Sequence, residues 1–217
     1  MRAIKTVIPY KSDNPKSRLS PVLTEEERKI FSRLSLKNVL TALKESEIPK
    51  AEILSKNALT ADEKRYILSE TNSDFEIKIK FDDRDLNTAV NAYLKELKEP
   101  VLIVMADLAL LKKENVVDMI KEWESELNFK ELVKIAPGKD GGTNMMYIGS
   151  PDIFEVSYYG NSFEKHREEA KRKRFECKIY NSLEAAADMD EPEDLEEIIK
   201  YGFGEIFDFI NQILTHK

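Results

Sequence analysis

One short apolar segment does most to constrain the fold of this chain. Residues 101–106 read VLIVMA, follow Pro100 and end at Asp107. The run is too short for an ordinary helix, and an unbroken apolar run of this length is typical of a strand buried on both faces of a parallel sheet. Ligands bind beyond the carboxyl ends of such strands, so Asp107 is a candidate for holding a metal ion or a phosphate group. The alternative is that Asp107 caps the helix that follows it.

The rest of the chain alternates between strand-like and helix-like segments. Thr24 with Glu27 forms the sequence pattern of a capping box and predicts a helix through Leu34, with a second helix over Leu36–Ser46. A first strand is expected to end before Pro9. This alternation predicts an α/β fold with a mostly parallel sheet and helices on both faces, in one domain over residues 1–217. Strands are expected at residues 3–8, 51–54, 75–81, 101–106, 132–136, 145–148 and 177–180.

Composition narrows the classes of partner. Charged residues make up 35% of the chain and the net charge is −7, which argues against nucleic-acid binding because such proteins carry a basic surface. The single cysteine, Cys177, excludes an intrachain disulfide and a cysteine-cluster metal site. Since the sequence also has no run of membrane-spanning length and no signal peptide, we expect a cytoplasmic protein that does not bind membranes.

A basic loop follows the first predicted strand. It carries Lys11, Lys16 and Arg18 among small polar residues. Lysine supplies a point charge and arginine a two-pronged donor, so the loop is a candidate for holding a polyphosphate. The alternative is a solvated turn.

Three further segments contain candidate ligand-binding residues. Residues 140–144 read DGGTN, where paired glycines allow a close backbone approach and Thr143 adds a hydroxyl, a combination that suits a phosphate or a carboxylate; a hairpin turn is the alternative. Ser162 is expected to cap a helix whose first amides favour an anion. Asn87 near a helix start either reads a base edge or a phosphate, or caps the helix.

An acidic segment near the end of the chain completes the pattern. Asp188 and Asp190 alternate in an extended segment, so only one of them is expected to join Asp107 directly on a shared cation, with the other acting through water. Two separated carboxylates suit Mg²⁺ that keeps several waters and bridges substrate phosphates. Together with the basic loop, they predict nucleotidyl transfer, in which positioning and electrostatics supply most of the catalysis.

At this level of detail the chain resembles the 2-phospho-L-lactate guanylyltransferase family of coenzyme F420 biosynthesis over essentially its whole length. The resemblance rests on an ordered set of short motifs and on His166. These motifs are residues 8–11 (IPYK), 16–19 (KSRL), 106–108 (ADL), 140–144 (DGGTN), 159–163 (YGNSF) and 188–195 (DMDEPEDL). It implies a Rossmann-like nucleotide-diphospho-sugar transferase fold, with Pro9-Tyr10-Lys11 where the wider superfamily has a glycine-rich loop.

The resemblance also implies a reaction and a set of roles. Such enzymes transfer GMP from GTP to 2-phospholactate with Mg²⁺, forming lactyl-2-diphospho-5′-guanosine and pyrophosphate, and relatives use phosphoenolpyruvate or 3-phosphoglycerate. The implied roles are as follows: the triphosphate is held by Lys11, Lys16 and Arg18, the metal by Asp107 and Asp190 with Asp188 as the alternative ligand, and the phospho-acid by Thr143, Gly160 and Ser162.

Some alternatives stay open on the sequence. A catalytically silent nucleotide-binding module is the competing class, and the acceptor is not decided among the three phospho-acids. The apolar residues of the last helical segment, 202–214, suit either docking on the body of the protein or a homodimer contact.

Overall fold

The structure is a computed structural model that describes residues 4–125 and 129–215, without the side chains of residues 122–128. Seven strands form one sheet in the order β3-β2-β1-β4-β6-β5-β7. All neighbours pair in parallel except β6, which is antiparallel to both β4 and β5. The strands are β1 (Lys5–Tyr10), β2 (Lys50–Ser55), β3 (Glu76–Phe81), β4 (Val101–Val104), β5 (Leu132–Pro137), β6 (Thr143–Ile148) and β7 (Glu176–Ile179).

Helices cover both faces of this sheet. Residues of α1, α2 and α4 pack with apolar strand residues on one face, and residues of α3 and α5 pack on the other. The expected α/β fold with a mostly parallel sheet is confirmed. The helices are α1 (Glu25–Glu45), α2 (Ala61–Leu68), α3 (Leu86–Lys95), α4 (Lys113–Ser125), α5 (Ser162–Lys173), α6 (Leu183–Ala186), α7 (Leu195–Tyr201) and α8 (Gly204–Thr215).

Several predicted boundaries are wrong. Strand β4 ends at Val104, two residues before the predicted end at Ala106. The expected pair of helices over residues 24–46 is one continuous helix, α1, in which the Ser35 hydroxyl donates to the carbonyl of Phe31 and so bonds within the helix. No glycine or proline interrupts the sequence of this helix. The first strand continues through Pro9 to Tyr10, because β4 pairs with β1 only as far as Val7, so the missing N–H of Pro9 costs no bond to β4.

The antiparallel strand β6 brings a turn to the ligand-binding edge of the sheet. Pro137 pairs with Thr143, so residues 138–142 form the turn of a β5–β6 hairpin, as the hairpin interpretation expected. The Met105 amide donates to the carbonyl of Asn144 at 2.9 Å, which joins the exit of β4 to the entry of β6. Asp107 and Thr143 therefore lie at the same edge.

The C-terminal helices dock on the body of the protein. Ile206, Ile210 and Ile213 of α8 join a third apolar cluster that includes Leu19 and Phe31. Within this chain the apolar tail therefore serves packing, as the docking interpretation predicted. Among the helices of the described residues, none combines the length and the apolar character that crossing a bilayer requires.

Candidate active site

A pocket of about 520 Å³ opens at the carboxyl ends of β1 to β4. Five residues that the sequence selected line it: Lys11, Lys16, Arg18, Asp107 and Asp190. They come from the loop after β1, the exit of β4 and the segment before α7, and Lys16 and Asp190 are 174 residues apart in sequence. The pocket lies where the topology of a parallel sheet places ligands.

Lys16 bridges the two aspartates. Its ammonium lies 2.6 Å from Asp107 Oδ2 and 2.7 Å from Asp190 Oδ1, with only 8% of the lysine side chain exposed. Burial by itself lowers the pKa of Lys16, but the charges and hydrogen bonds of the two carboxylates outweigh it and hold the pKa above its ordinary value. The two carboxylates therefore converge on one cationic position.

The capping alternative for Asp107 is wrong. Helix α4 begins at Lys113, six residues later, and there the Asn115 side chain accepts from the Lys112 amide. Asp107 directs its carboxylate to Lys16 instead. The side chain is thus free of a helix-capping role and faces the pocket.

Arg28 of α1 shapes the basic loop, and the sequence reasoning missed it. Its guanidinium is buried and donates to the carbonyls of Pro15 and Leu23 at 3.2 and 3.1 Å and to Asn14 Oδ1 at 3.1 Å. These bonds fix a loop in which Asn14 and Lys16 adopt left-handed backbone angles, with φ of 39° and 51°. A signal existed, because residue 28 shares the apolar stripe of α1 with Phe31 and is the charged member of it.

The two remaining cations of the loop are more exposed. Arg18 Nη1 lies 3.3 Å from Glu191 Oε1 and 3.8 Å from Asp190 Oδ2, and 63% of its side chain is exposed. Lys11 is exposed at the pocket wall. Both cations are therefore accessible to a ligand.

Asp188 and Asp190 point to different surroundings, as their alternation predicted. Asp190 faces Lys16, and its backbone amide donates to Asp194 Oδ2 at 3.0 Å. Asp188 is half-buried beside Gly138: a Cβ on that glycine would lie 3.1 Å from Asp188 Oδ2. Burial and then the charge of Asp107 raise the pKa of Asp188 to about 6.

Thr143 belongs to a buried hydrogen-bonded chain. The Ser157 amide donates to His166 Nε2 at 2.9 Å, so this nitrogen carries no proton. The imidazole is then neutral with its proton on Nδ1, which donates to Thr143 Oγ1 at 2.9 Å. Burial, with a smaller effect of Lys165, lowers the pKa of His166 to about 4. The threonine oxygen is thus fixed as an acceptor, and its own proton is free for another partner.

Gly160 and Ser162 lie beside the hairpin turn. The amide of Phe163 donates to the carbonyl of Gly141 at 3.1 Å, which places the start of α5 against residues 138–142. The expected capping role of Ser162 is wrong, because Ser162 is the first residue of α5 and Asn161 occupies the cap position. Thr143 and Ser162 are both buried, and neither they nor Gly160 line the pocket described above. Their role toward a phospho-acid stays a prediction.

Asn87 has a structural partner. Its Oδ1 accepts from the amide of Tyr158 at 2.7 Å, while Asp85 caps α3 by accepting from the amides of Asn87 and Thr88. Asn87 therefore does not cap the helix, and it does not line the pocket. Its predicted contact with a nucleotide stays a prediction.

Comparisons with known proteins agree with this architecture. Residues 4–213 match the family model described as "Guanylyl transferase CofC like". A 2-phospho-L-lactate guanylyltransferase of Methanosarcina mazei is 44% identical over 207 residues, covering 95% of this chain and 91% of that protein. The enzyme of the same name from Archaeoglobus fulgidus is 36% identical over 212 residues, covering 97% and 90%.

Solved structures support the fold alone. A Desulfovibrio desulfuricans protein described as a nucleotide-diphospho-sugar transferase superposes with a TM-score of 0.76 at 16% identity, covering 99% of this chain and 96% of that chain. A cytidylyltransferase of Leptospira borgpetersenii superposes with a TM-score of 0.60 at 13% identity, covering 100% and 95%. The nucleotidyltransferase fold and the family expected from the sequence are confirmed, and the chain belongs to the CofC-like guanylyltransferase family.

Proposed function

We propose that this protein transfers GMP from GTP to (2S)-2-phospholactate and releases pyrophosphate. The observation that carries the proposal is the convergence of Asp107 and Asp190 on the Lys16 ammonium inside the pocket. Two carboxylates beside a basic loop support the binding of a nucleoside triphosphate together with a divalent cation. The names of the relatives supply the nucleotide and the acceptor.

The donor set fits Mg²⁺. Asp107 and Asp190 would hold the ion directly, and Asp188 would act through water. Among the residues that the structure describes, no group of three or more histidine, cysteine or acidic side chains forms a metal site by itself. This suits a metal that takes the rest of its oxygen ligands from water and substrate phosphates. When bound, Mg²⁺ would neutralise charge on the phosphates of GTP.

The basic loop would bind and orient the triphosphate. Lys11 and Arg18 are exposed at the pocket, and the Lys16 ammonium lies between the two aspartates. A phosphate oxygen of the acceptor would then attack the α-phosphorus in line, with pyrophosphate leaving. The acceptor dianion is already a nucleophile, so no general base on the protein is required.

Thr143, Gly160 and Ser162 would receive the phospho-acid. The free hydroxyl proton of Thr143, which the His166 contact leaves available, supports a role as donor to an anionic acceptor. The junction between Met105 and Asn144 supports a location near Asp107.

The test is pyrophosphate release with Mg²⁺ and GTP, with 2-phospholactate, phosphoenolpyruvate and 3-phosphoglycerate supplied separately. We expect turnover with 2-phospholactate. Asp107→Asn should lose at least about a hundredfold in turnover while remaining folded, since it removes a charged ligand. Asp208→Asn, the same change on an exposed part of α8, is the matched control and should keep turnover.

Two outcomes would contradict the proposal. Turnover with another of the three acceptors would overturn the choice of substrate. No turnover with any of the three acceptors, from a protein that binds GTP and whose GTP binding is unchanged by Asp107→Asn, would favour the non-catalytic module.

The expected homodimer also stands as a proposal. The exposure of Ile199, Tyr201 and Phe203 at the junction of α7 and α8 supports it. Sedimentation equilibrium checks it, and a monomer at micromolar concentration would overturn it. The cytoplasmic location stays a prediction from the sequence.

A further inference from the structure

The pocket has a second end that the reaction described above does not use. The metal and phosphate end contains Lys16, Asp107 and Asp190. The other end lies beyond β2 and β3 and combines an ion pair, Asp82 with Arg84, with apolar side chains. The apolar residues that line this end are Leu54, Leu86 and Ala89.

The two ends are separated by about the length of a nucleotide. Asp82 directly follows β3, and Asp107 follows β4, with β2 and β1 between these two strands. Three strand spacings amount to roughly 14 Å. A nucleoside triphosphate whose phosphates lie at the metal end therefore directs its base toward Asp82 and Arg84, and the apolar side chains can cover the faces of a purine.

The ion pair is fixed by the backbone around it. The amide of Asp82 donates to the carbonyl of Ser55 at 2.9 Å, which anchors the exit of β3 on the exit of β2. Arg84 Nε donates to Asp82 Oδ1 at 2.8 Å, its backbone amide donates to the same oxygen at 3.2 Å, and Nη2 bonds Oδ2. Only 9% of the Asp82 side chain is exposed, against 48% of Arg84.

The charge state of the pair follows from these contacts. The hydrogen bonds from Arg84 lower the pKa of Asp82, so the carboxylate is ionised at neutral pH and can only accept. Its two oxygens have about four acceptor positions, of which Arg84 fills three, so the carboxylate can accept from about one ligand donor. The guanidinium has five N–H donors, of which Asp82 takes two, so it keeps donors for a ligand.

We propose that Asp82 and Arg84 read the guanine base of the nucleotide, Asp82 by accepting from the 2-amino group and Arg84 by donating to O6. Guanine presents this donor and this acceptor on one edge, and arginine is a common partner of guanine O6. Adenine has no 2-amino group and no oxygen at position 6, so it makes neither contact. The inference rests on the proposed function for the identity of the nucleotide.

Asp82 and Arg84 are better placed to contact the base than Asn87, the residue selected from the sequence. Asn87 already accepts from the Tyr158 amide and does not line the pocket. Asp82 and Arg84 do line it, and about half of the Arg84 side chain is exposed. The residues that determine base specificity are therefore assigned to the exit of β3, not to the start of α3.

The experiment measures binding of nucleoside triphosphates with Mg²⁺ by calorimetry in the absence of any acceptor. The wild type should bind GTP at least about tenfold more tightly than ATP, and more tightly than inosine triphosphate, which lacks the 2-amino group. Asp82→Asn should weaken GTP binding by about tenfold to a hundredfold. The same variant should gain affinity for xanthosine triphosphate, because its amide can donate to the oxygen that replaces the 2-amino group.

Two controls separate the base contact from general damage. Asp83→Asn makes the same change in charge at the next, exposed residue outside the pocket and should keep the wild-type order of nucleotides. Arg84→Met should reduce discrimination between GTP and ATP, and circular dichroism checks that each variant is folded. If Asp82→Asn is unfolded, the comparison of GTP with inosine triphosphate on the wild type decides the role of the carboxylate.

The outcomes distinguish this inference from the proposed function. An Asp82→Asn protein that keeps the preference for GTP, or a wild type that binds inosine triphosphate as tightly as GTP, overturns the base contact and leaves the transferase in place. A wild type with the expected nucleotide order but without turnover on any acceptor overturns the transferase and leaves the base contact in place.

Discussion

The contacts of His166 predict how the stability of this protein depends on pH. Its Nε2 accepts from the Ser157 amide, so protonation of the folded protein would place two N–H groups against each other. Burial lowers the pKa of His166 to about 4, from an ordinary value of 6.5. Between these two values His166 is protonated in the unfolded chain but not in the folded protein. The free energy of unfolding therefore falls as the pH drops from about 6.5 toward 4.

The size of this effect follows from the two pKa values. The full difference corresponds to about 3 kcal/mol, and about 2 kcal/mol of it is lost between pH 7 and pH 5. Urea unfolding of the wild type and of His166→Gln at these two pH values measures it. Glutamine does not titrate, so the wild type should lose about 2 kcal/mol more than the variant over this interval.

The comparison needs a control for destabilisation itself. Phe154→Leu weakens the stacked pair of Phe154 and Phe175 but keeps His166, so its loss of stability between the two pH values should match that of the wild type. Equal pH dependence in the wild type and in His166→Gln would refute the assigned neutral imidazole. Imidazole ¹⁵N spectra give a second check, since they should place the proton on Nδ1.

Three further predictions concern the loop, the hairpin and the first helix. Arg28→Met removes the three hydrogen bonds that hold the basic loop. It should therefore raise the KM for GTP by at least about tenfold with little change in the KM for the acceptor. An equal rise in both KM values would argue against a positioning role. Gly149→Ala should lower the free energy of unfolding by more than about 3 kcal/mol, since the added Cβ would lie 1.8 Å from the carbonyl oxygen of Phe129, and an unchanged denaturation midpoint would contradict this. Thr24→Ala should cost about 1 kcal/mol in the same assay through loss of the capping box, and Thr24→Ser should retain most of it.

The loop, the hairpin and the C-terminal segment are each held in place by a different kind of interaction. Hydrogen bonds from Arg28 fix the loop, strand pairing fixes the hairpin, and Asp194 fixes the backbone of Asp190. The turn of the hairpin is close-packed, since a Cβ on Gly138 would lie 2.9 Å from Asn144 Oδ1. A change at any of these points is expected to affect ligand binding without touching a ligand.

Local patterns in the sequence were sufficient for the elements whose cause is local. The apolar run at 101–106 predicted the central strand β4, and Thr24 with Glu27 predicted the capping box at the start of α1, because burial on both faces and capping each depend on a few neighbouring residues. The ordered set of short motifs was sufficient to identify the family. The boundary between the two predicted helices failed because Ser35 can bond within a helix as well as end one.

Only the tertiary structure decided which side chains meet. Lys16, Asp107 and Asp190 are distant in sequence, and their contact depends on the order of strands and on the docking of the segment before α7. The neutral state of His166 depends on the amide of Ser157, and the position of Asp82 at the far end of the pocket depends on β2 and β1 lying between β3 and β4. The physical reason is that hydrophobic periodicity encodes which face of an element is buried, whereas a contact between two polar side chains depends on the packing of every element between them.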